Sequence, residues 1–125
     1  MMEKPLLWIV SSKRDLKKFP KAVQANLGRA LQTAQWGGKS DDAKPLKGFK
    51  GASVLEVVED YDGDTYRAVY TVKFRRAVCV LHAFQKKSKK GVKTPKAVID
   101  LIEERLAYAS EVYEEWCQEN PEERN

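Results

Sequence analysis

The feature that most constrains this chain is the dipeptide Asp62-Gly63, set between two runs of strand-forming residues. Asp-Gly supplies two adjacent positions that tolerate positive φ, which a two-residue hairpin turn demands. The runs at 54–59 and 65–73 are therefore expected to pair antiparallel. A third run, 77–85, follows a short turn at Arg75 and Arg76 and extends the hairpin into a meander of three strands. Side chains alternate across a strand. In the second strand Tyr66, Ala68, Tyr70 and Val72 share one face, and Arg67, Val69, Thr71 and Lys73 the other. Unbroken alternation in the third predicts Val78, Val80, His82 and Phe84 on one face, with Cys79, Leu81, Ala83 and Gln85 opposite.

Helical patterns flank the meander. Residues 6–10 read as a short apolar strand, and Ser11 and Ser12 as caps of a short helix, with Asp15 placed as in a capping box. Pro20 suits the first turn of a second helix, where Val23, Leu27, Ala30, Leu31 and Ala34 form one apolar face and Gly37-Gly38 the stop. Residues 39–53 read as a loop. Thr94 is the expected cap of the last helix, with Pro95 in its first turn. Val98, Ile99, Ile102, Leu106, Ala109 and Tyr113 line one face of that helix, which is expected to end before Pro121. The order predicts an α+β domain: a small, mainly antiparallel sheet with two N-terminal helices and a C-terminal helix, packed on one face. At 125 residues the whole chain is expected to be one domain.

No apolar run approaches the roughly 20 residues of a membrane span, and the opening segment does not read as a signal peptide. The expected compartment is the cytoplasm, with Cys79 and Cys117 reduced. One histidine and two scattered cysteines do not make a zinc site of the usual spacing. The acidic run 60–64 lacks the later glutamate of a calcium loop, and the hairpin turn accounts for it. No phosphate loop, dinucleotide-binding pattern or nucleophile elbow is present, so no metal or cofactor is expected.

Charge is the informative part. The net charge of +5 hides a strong asymmetry: residues 65–99 carry ten basic side chains and no acidic one, and residues 100–125 carry two basic and nine acidic. A stretch of that kind attracts polyanions, nucleic acid first among them, unless the protein's own acidic tail or an acidic partner neutralises it. Arg67 lies mid-strand, where a guanidinium must either pair with a carboxylate such as Glu56 or face an open surface. Lys86, Lys87, Lys89 and Lys90 follow the third strand, and Lys47 and Lys50 precede the first. Fixed cations of this kind stabilise the charge that gathers on phosphoryl oxygens during phosphodiester cleavage. With RNA the neighbouring 2′-OH can be the nucleophile. His82 is the one ordinary acid–base group, a lysine depressed by cationic neighbours being the substitute. Each feature also has a plain reading: His82 and Phe84 as core residues, and the lysine run as a solvated loop.

The stretches KPLKGFKGASVLEVVEDYDGDTYRAVYTVKF and VCVLHAFQKKSKKGVKTPKAVIDLIEERL carry a more specific signal. Leu46-Lys47-Gly48, the YRAVY segment at 66–70, HAFQKKS at 82–88 and Thr94-Pro95 together resemble the RelE/ParE toxin superfamily, nearest to its HigB-like, phage-derived branch. The resemblance spans residues 6–110. It implies the toxin of a type II toxin–antitoxin pair, a metal-independent endoribonuclease that cuts mRNA in the ribosome by 2′-OH attack. Its partners would be a helix-turn-helix, HigA-like antitoxin, the ribosome and mRNA, and operator DNA through the antitoxin complex. On the motifs, Arg67, Lys86, Lys87 and His82 take the catalytic positions. Phe84 lies near a base-stacking position, and Lys47, Lys50, Lys89 and Lys90 are the RNA-binding cations. Two other functions fit the same resemblance: a ParE-type inhibitor of DNA gyrase, and a non-catalytic phage-derived binding protein.

Overall fold

The computed structural model describes residues 3–49, 53–86 and 94–122. Strand β1 (Leu6–Trp8) leads into helices α1 (Ser12–Leu16) and α2 (Lys21–Gln35). Strands β2 (Ala43–Pro45), β3 (Val54–Tyr61), β4 (Asp64–Thr71) and β5 (Val78–Lys86) follow, and then helix α3 (Lys96–Glu119). The described strands form one five-stranded sheet in the order β1-β5-β4-β3-β2. The β1–β5 pairing is parallel and the other three are antiparallel. The hairpin stands where Asp-Gly puts it: Asp62 and Gly63 have φ of 50° and 83°, the two successive positive values of a type I′ turn. Helix α2 ends as its glycines dictate. Gly37, at φ 86°, donates its N–H to the Ala34 carbonyl, and Gly38 donates to Thr33, both at 3.0 Å.

Three local expectations give way to tertiary demands. Ser12 does not cap α1; it is the first helical residue, fully buried, and its hydroxyl donates to the Val80 carbonyl at 3.0 Å. A buried hydroxyl needs a partner inside the core, and β5 offers one. Ser11 takes the N-cap position and donates to Asp15 Oδ2 at 2.8 Å. Residues 43–45 are not loop but an edge strand on β3, held there by the buried Ala43. Pro95 rather than Thr94 stands at the N-cap of α3, its carbonyl accepting the N–H groups of Val98 and Ile99.

The helices cover both faces of the sheet, not one. Helices α1 and α2 bring Leu16, Val23, Leu27, Leu31 and Ala34 against Leu55, Val57, Tyr66, Ala68, Tyr70, Val78 and Val80. Helix α3 brings Ile102 and Ala109 against Val54, Val69, Cys79 and Leu81 on the other side. The reason lies in the strands themselves, which are apolar on both faces over the half of the sheet nearest residues 54, 71 and 78, so each face needs a cover there.

The alternation expected for β5 is also broken. Val69 pairs with His82, but Tyr70 pairs with Val80, so Leu81 is an extra residue, a β-bulge. Before it, Val78 and Val80 face α1 and α2; after it Ala83 does. Phe84 instead packs on the α3 side with Cys79 and Leu81, and the His82 ring stacks on it, centroids 4.9 Å apart. The bulge therefore moves His82 and Phe84 to the face opposite the one that plain alternation assigns.

Candidate functional site

That shift assembles a site. On the α3 side of the sheet, towards the Asp62-Gly63 turn, three cross-strand rows can be read from the register. Lys44, Glu56, Val69 and His82 stand side by side across β2 to β5. The next row holds Val58, Arg67 and Phe84, and the last holds Asp60, Thr65 and Lys86. Cross-strand neighbours lie about 5 Å apart, so Phe84 stands opposite Arg67, with His82 and Lys86 diagonal to it at either side of Phe84 on β5. Of the two proposals of the sequence for Arg67, the carboxylate partner holds. Arg67 Nη1 donates to Glu56 Oε2 at 2.9 Å, with side chains 11% and 16% exposed, on a face that α3 leaves partly open. The Arg67 Nε–H is buried and has no partner among the described residues. Glu56 thus fixes one edge of the guanidinium and leaves donor capacity for an acceptor from outside.

Lys86 feels the same environment. Burial lowers its pKa, the adjacent Arg67 charge lowers it further, and Glu56 acts against both. Thr65 between them is tied down by donating to Asp60 Oδ1 at 2.9 Å.

His82 is held from the other side. Arg105 of α3 donates through Nη1 both to the Leu81 carbonyl, at 2.9 Å, and to His82 Nδ1, at 3.1 Å. Burial first, then the Arg105 charge, push the His82 pKa down to about 4, against a smaller opposing pull from Asp15. The ring is neutral at neutral pH. Its linkage to folding has a definite sign. The unfolded chain takes up this proton near pH 6.5 and the fold only near pH 4, so stability is complete above the first value and is lost as pH falls towards the second. With allowance for screening at the ring's open edge, the loss is about 1–2 kcal/mol. Urea midpoints at pH 7.5 and 4.5 should fall further apart for the native chain than for His82→Gln, and equal spacing would refute the assignment.

The remaining sequence candidates divide into two groups. Lys47 is exposed and sits at the opposite end of β3 from the hairpin turn, where the Leu46 N–H donates to the Val54 carbonyl. There Gly48, at φ 103°, lies against Ile99 of α3. Lys47 is thus not brought beside Lys86. Lys50, Lys87, Lys89 and Lys90 lie outside the described residues. The acidic end of the chain meets the basic stretch within α3, where Lys96 pairs with Asp100 at 3.8 Å, and again beyond it. Glu122 pairs with Arg75 and, at 3.6 Å, with Arg76. Arg76 also packs its guanidinium 4.8 Å from the Trp116 ring centre.

Two residues of this region were not singled out from sequence. Lys44 lies in what reads as loop and emerges on the site face only because β2 forms. Arg105 had a signal: it is the one basic residue between 100 and 122, and it borders the apolar stripe of α3.

The fold and this face define a small α+β domain with a cationic and aromatic sheet surface. The chain belongs to the family of phage-derived Gp49-like proteins, whose pattern matches residues 14–107. It is also similar to a solved structure, the toxin–antitoxin complex RelBE2 from Mycobacterium tuberculosis, at 19% identity over 70% of this chain and 97% of that one, with a TM-score of 0.45. No curated protein matches the chain significantly. Among the described residues no helix is long and apolar enough to cross a membrane.

Proposed function

We propose that this chain is the toxin of a type II toxin–antitoxin pair, acting in the cytoplasm as a ribosome-dependent endoribonuclease. The observation that carries the reading is the juxtaposition of Arg67, Phe84 and Lys86 on neighbouring strands of one partly open face. An aromatic ring can stack on a base while two cations hold the adjoining phosphate, and single-stranded RNA presents those groups together. The 2′-OH gives up its proton to solvent as its oxygen attacks the phosphorus, the bond to the 5′ oxygen breaks, and a cyclic phosphate and a 5′-hydroxyl result. Arg67 stabilises the charge on the equatorial oxygens. Lys86, its pKa lowered by burial and by Arg67, is suited to pass a proton to the departing oxygen. Lys44 extends the positive surface towards the sheet edge, and Lys50, Lys87, Lys89 and Lys90, which lie outside the described residues, add positive charge in the adjoining sequence. The motif likeness to the HigB-like branch adds a helix-turn-helix, HigA-like antitoxin as partner, with operator DNA bound through the pair.

Inducible expression with mapping of mRNA 5′ ends and a gyrase supercoiling assay tests this directly. New 5′ ends within translated frames, abolished when translation initiation is blocked, are the expected result. Growth arrest with intact mRNA and trapped gyrase would overturn it in favour of a ParE-type inhibitor. Neither arrest nor cleavage would leave a binding protein.

A further inference from the structure

Histidine 82 is caught between two elements that have no sequence contiguity. On its own strand the bulge at Leu81 turns a carbonyl out of the ladder, and from α3 Arg105 reaches that carbonyl and the His82 ring with the same nitrogen. The other nitrogen of the fork, Nη2, donates to Ser11 Oγ at 3.3 Å, and Ser11 in turn donates to Asp15 Oδ2 at 2.8 Å. Ser11 follows Val10, a β-branched residue held at φ 52° and two-thirds exposed. An L-residue with a branched Cβ adopts that conformation only where its surroundings impose it. The turn at 9–12 is thus pinned, by Ser12 on Val80 and by the Ile9 N–H on the Val80 carbonyl at 3.0 Å, in the position that presents Ser11 to Arg105.

The chemistry of this contact has one outcome. A guanidinium has only donors and keeps its proton throughout the accessible pH range. The nitrogen it faces at 3.1 Å, His82 Nδ1, must be the acceptor. The ring proton is then on Nε2. The same contact opposes a second proton on the ring, since the imidazolium would turn two donors and two positive charges against each other.

We propose that Arg105 is a positioning residue that locks His82 as the neutral Nε2–H tautomer, so that His82 serves the site as a hydrogen-bond donor stacked on Phe84 and not as its general base. The charged groups that act on the ring are Arg105 on α3 and Asp15 on α1; beyond them stand Arg67, diagonal on β4, and Glu56, two strands away on β3. Of these, only Asp15 and Glu56 favour a proton, and each is already engaged, Asp15 by Ser11 and Glu56 by Arg67. The inference bears on catalysis only through the reading of this face as an RNA site. The tautomer itself does not depend on that reading.

The test is nitrogen-15 NMR of the single histidine in the full chain without RNA, followed from pH 7.5 to 4.5. Expected are shifts of a protonated Nε2 and a bare Nδ1, with no titration step near pH 6.5. In Arg105→Met the step should move up by at least one pH unit and the two tautomers should mix. Arg105→Lys, which keeps the charge but loses the fork, should not restore the native spectrum. Ser11→Ala loosens the fork without touching the ring, and should shift the step in the same direction by less. A native His82 that titrates near pH 6.5, or carries its proton on Nδ1, overturns the proposal whatever the variants do. So does full rescue by lysine. If the tautomer is confirmed and no RNA is cut, the clamp stands and the nuclease reading fails. If RNA is cut, Arg105→Met should gain an acidic fall in rate near the raised step, which the native chain lacks.

Discussion

Arg67→Ala should lower mRNA cleavage by about 10²–10³-fold, the loss that follows removal of one preorganised donor from a transition-state oxyanion. The substitution also strips Glu56 of its partner. An uncompensated carboxylate only 16% exposed carries its own cost, so reduced activity could reflect a damaged fold. Arg67→Lys separates the two. It keeps a cation beside Glu56 and most of the buried stem, but it cannot bond the carboxylate and a phosphate oxygen through one rigid fork. The expected pattern is a near-native urea midpoint for the lysine variant with cleavage still down by more than about tenfold. Single-turnover cleavage of ribosome-bound mRNA, read beside urea melts, gives both quantities. Native rates in Arg67→Ala, with the chain folded, would remove this residue from the chemistry and overturn the juxtaposition with Phe84 and Lys86 as its site.

The largest stability effect is expected at Ile102. Helix α3 is 24 residues long, yet only Ile102 and Ala109 on it are buried. They lie seven residues apart, two turns along one face, and Ile102 is fully enclosed among residues such as Val54, Val69 and Leu81. Ile102→Ala removes most of that anchor and leaves a cavity, at a cost of about 3–4 kcal/mol. Arg105 stands between the two anchors, so the same substitution should disturb the His82 ring as well as the urea midpoint. Tyr108→Ala, on the exposed side of the helix, is the control and should cost under about 0.5 kcal/mol. A loss below 1 kcal/mol at Ile102 would mean that α3 is held mainly by its C-terminal contacts, Tyr113 on Phe74 and Arg76 on Trp116.

Much of the molecule could be read before the structure. Asp62-Gly63 is a local instruction, because the turn needs only those two backbones, and it set the β3–β4 register from which the Arg67–Glu56 pair follows. The apolar face of α2 and its glycine stop are equally local. What escaped depends on distant partners. Nothing near Leu81 in the sequence announces an extra residue; the bulge exists because Arg105, 24 positions later, can satisfy the freed carbonyl. Strand β2 forms because β3 needs an edge partner, and three residues with a proline among them carry no strand pattern of their own. The helices on both faces were within reach: Val69 and Leu81 are as apolar as Ala68 and Val80, which argues for cover on each side.

The bulge also sets a rule for change in this chain. It acts as a phase shift written into β5: the residues before it keep time with the packed interior on one beat, and those after it on the other. Substitutions near Leu81 alter one side chain each. A deletion of that single residue would restore the uninterrupted rhythm and still leave His82 opposite Val69 and Phe84 opposite Arg67, on the face they already occupy, but it would take away the Leu81 carbonyl that Arg105 holds. The extra residue therefore works as a handle: it gives α3 a grip on β5 through Arg105, and the surface beyond it keeps its facing with or without that grip.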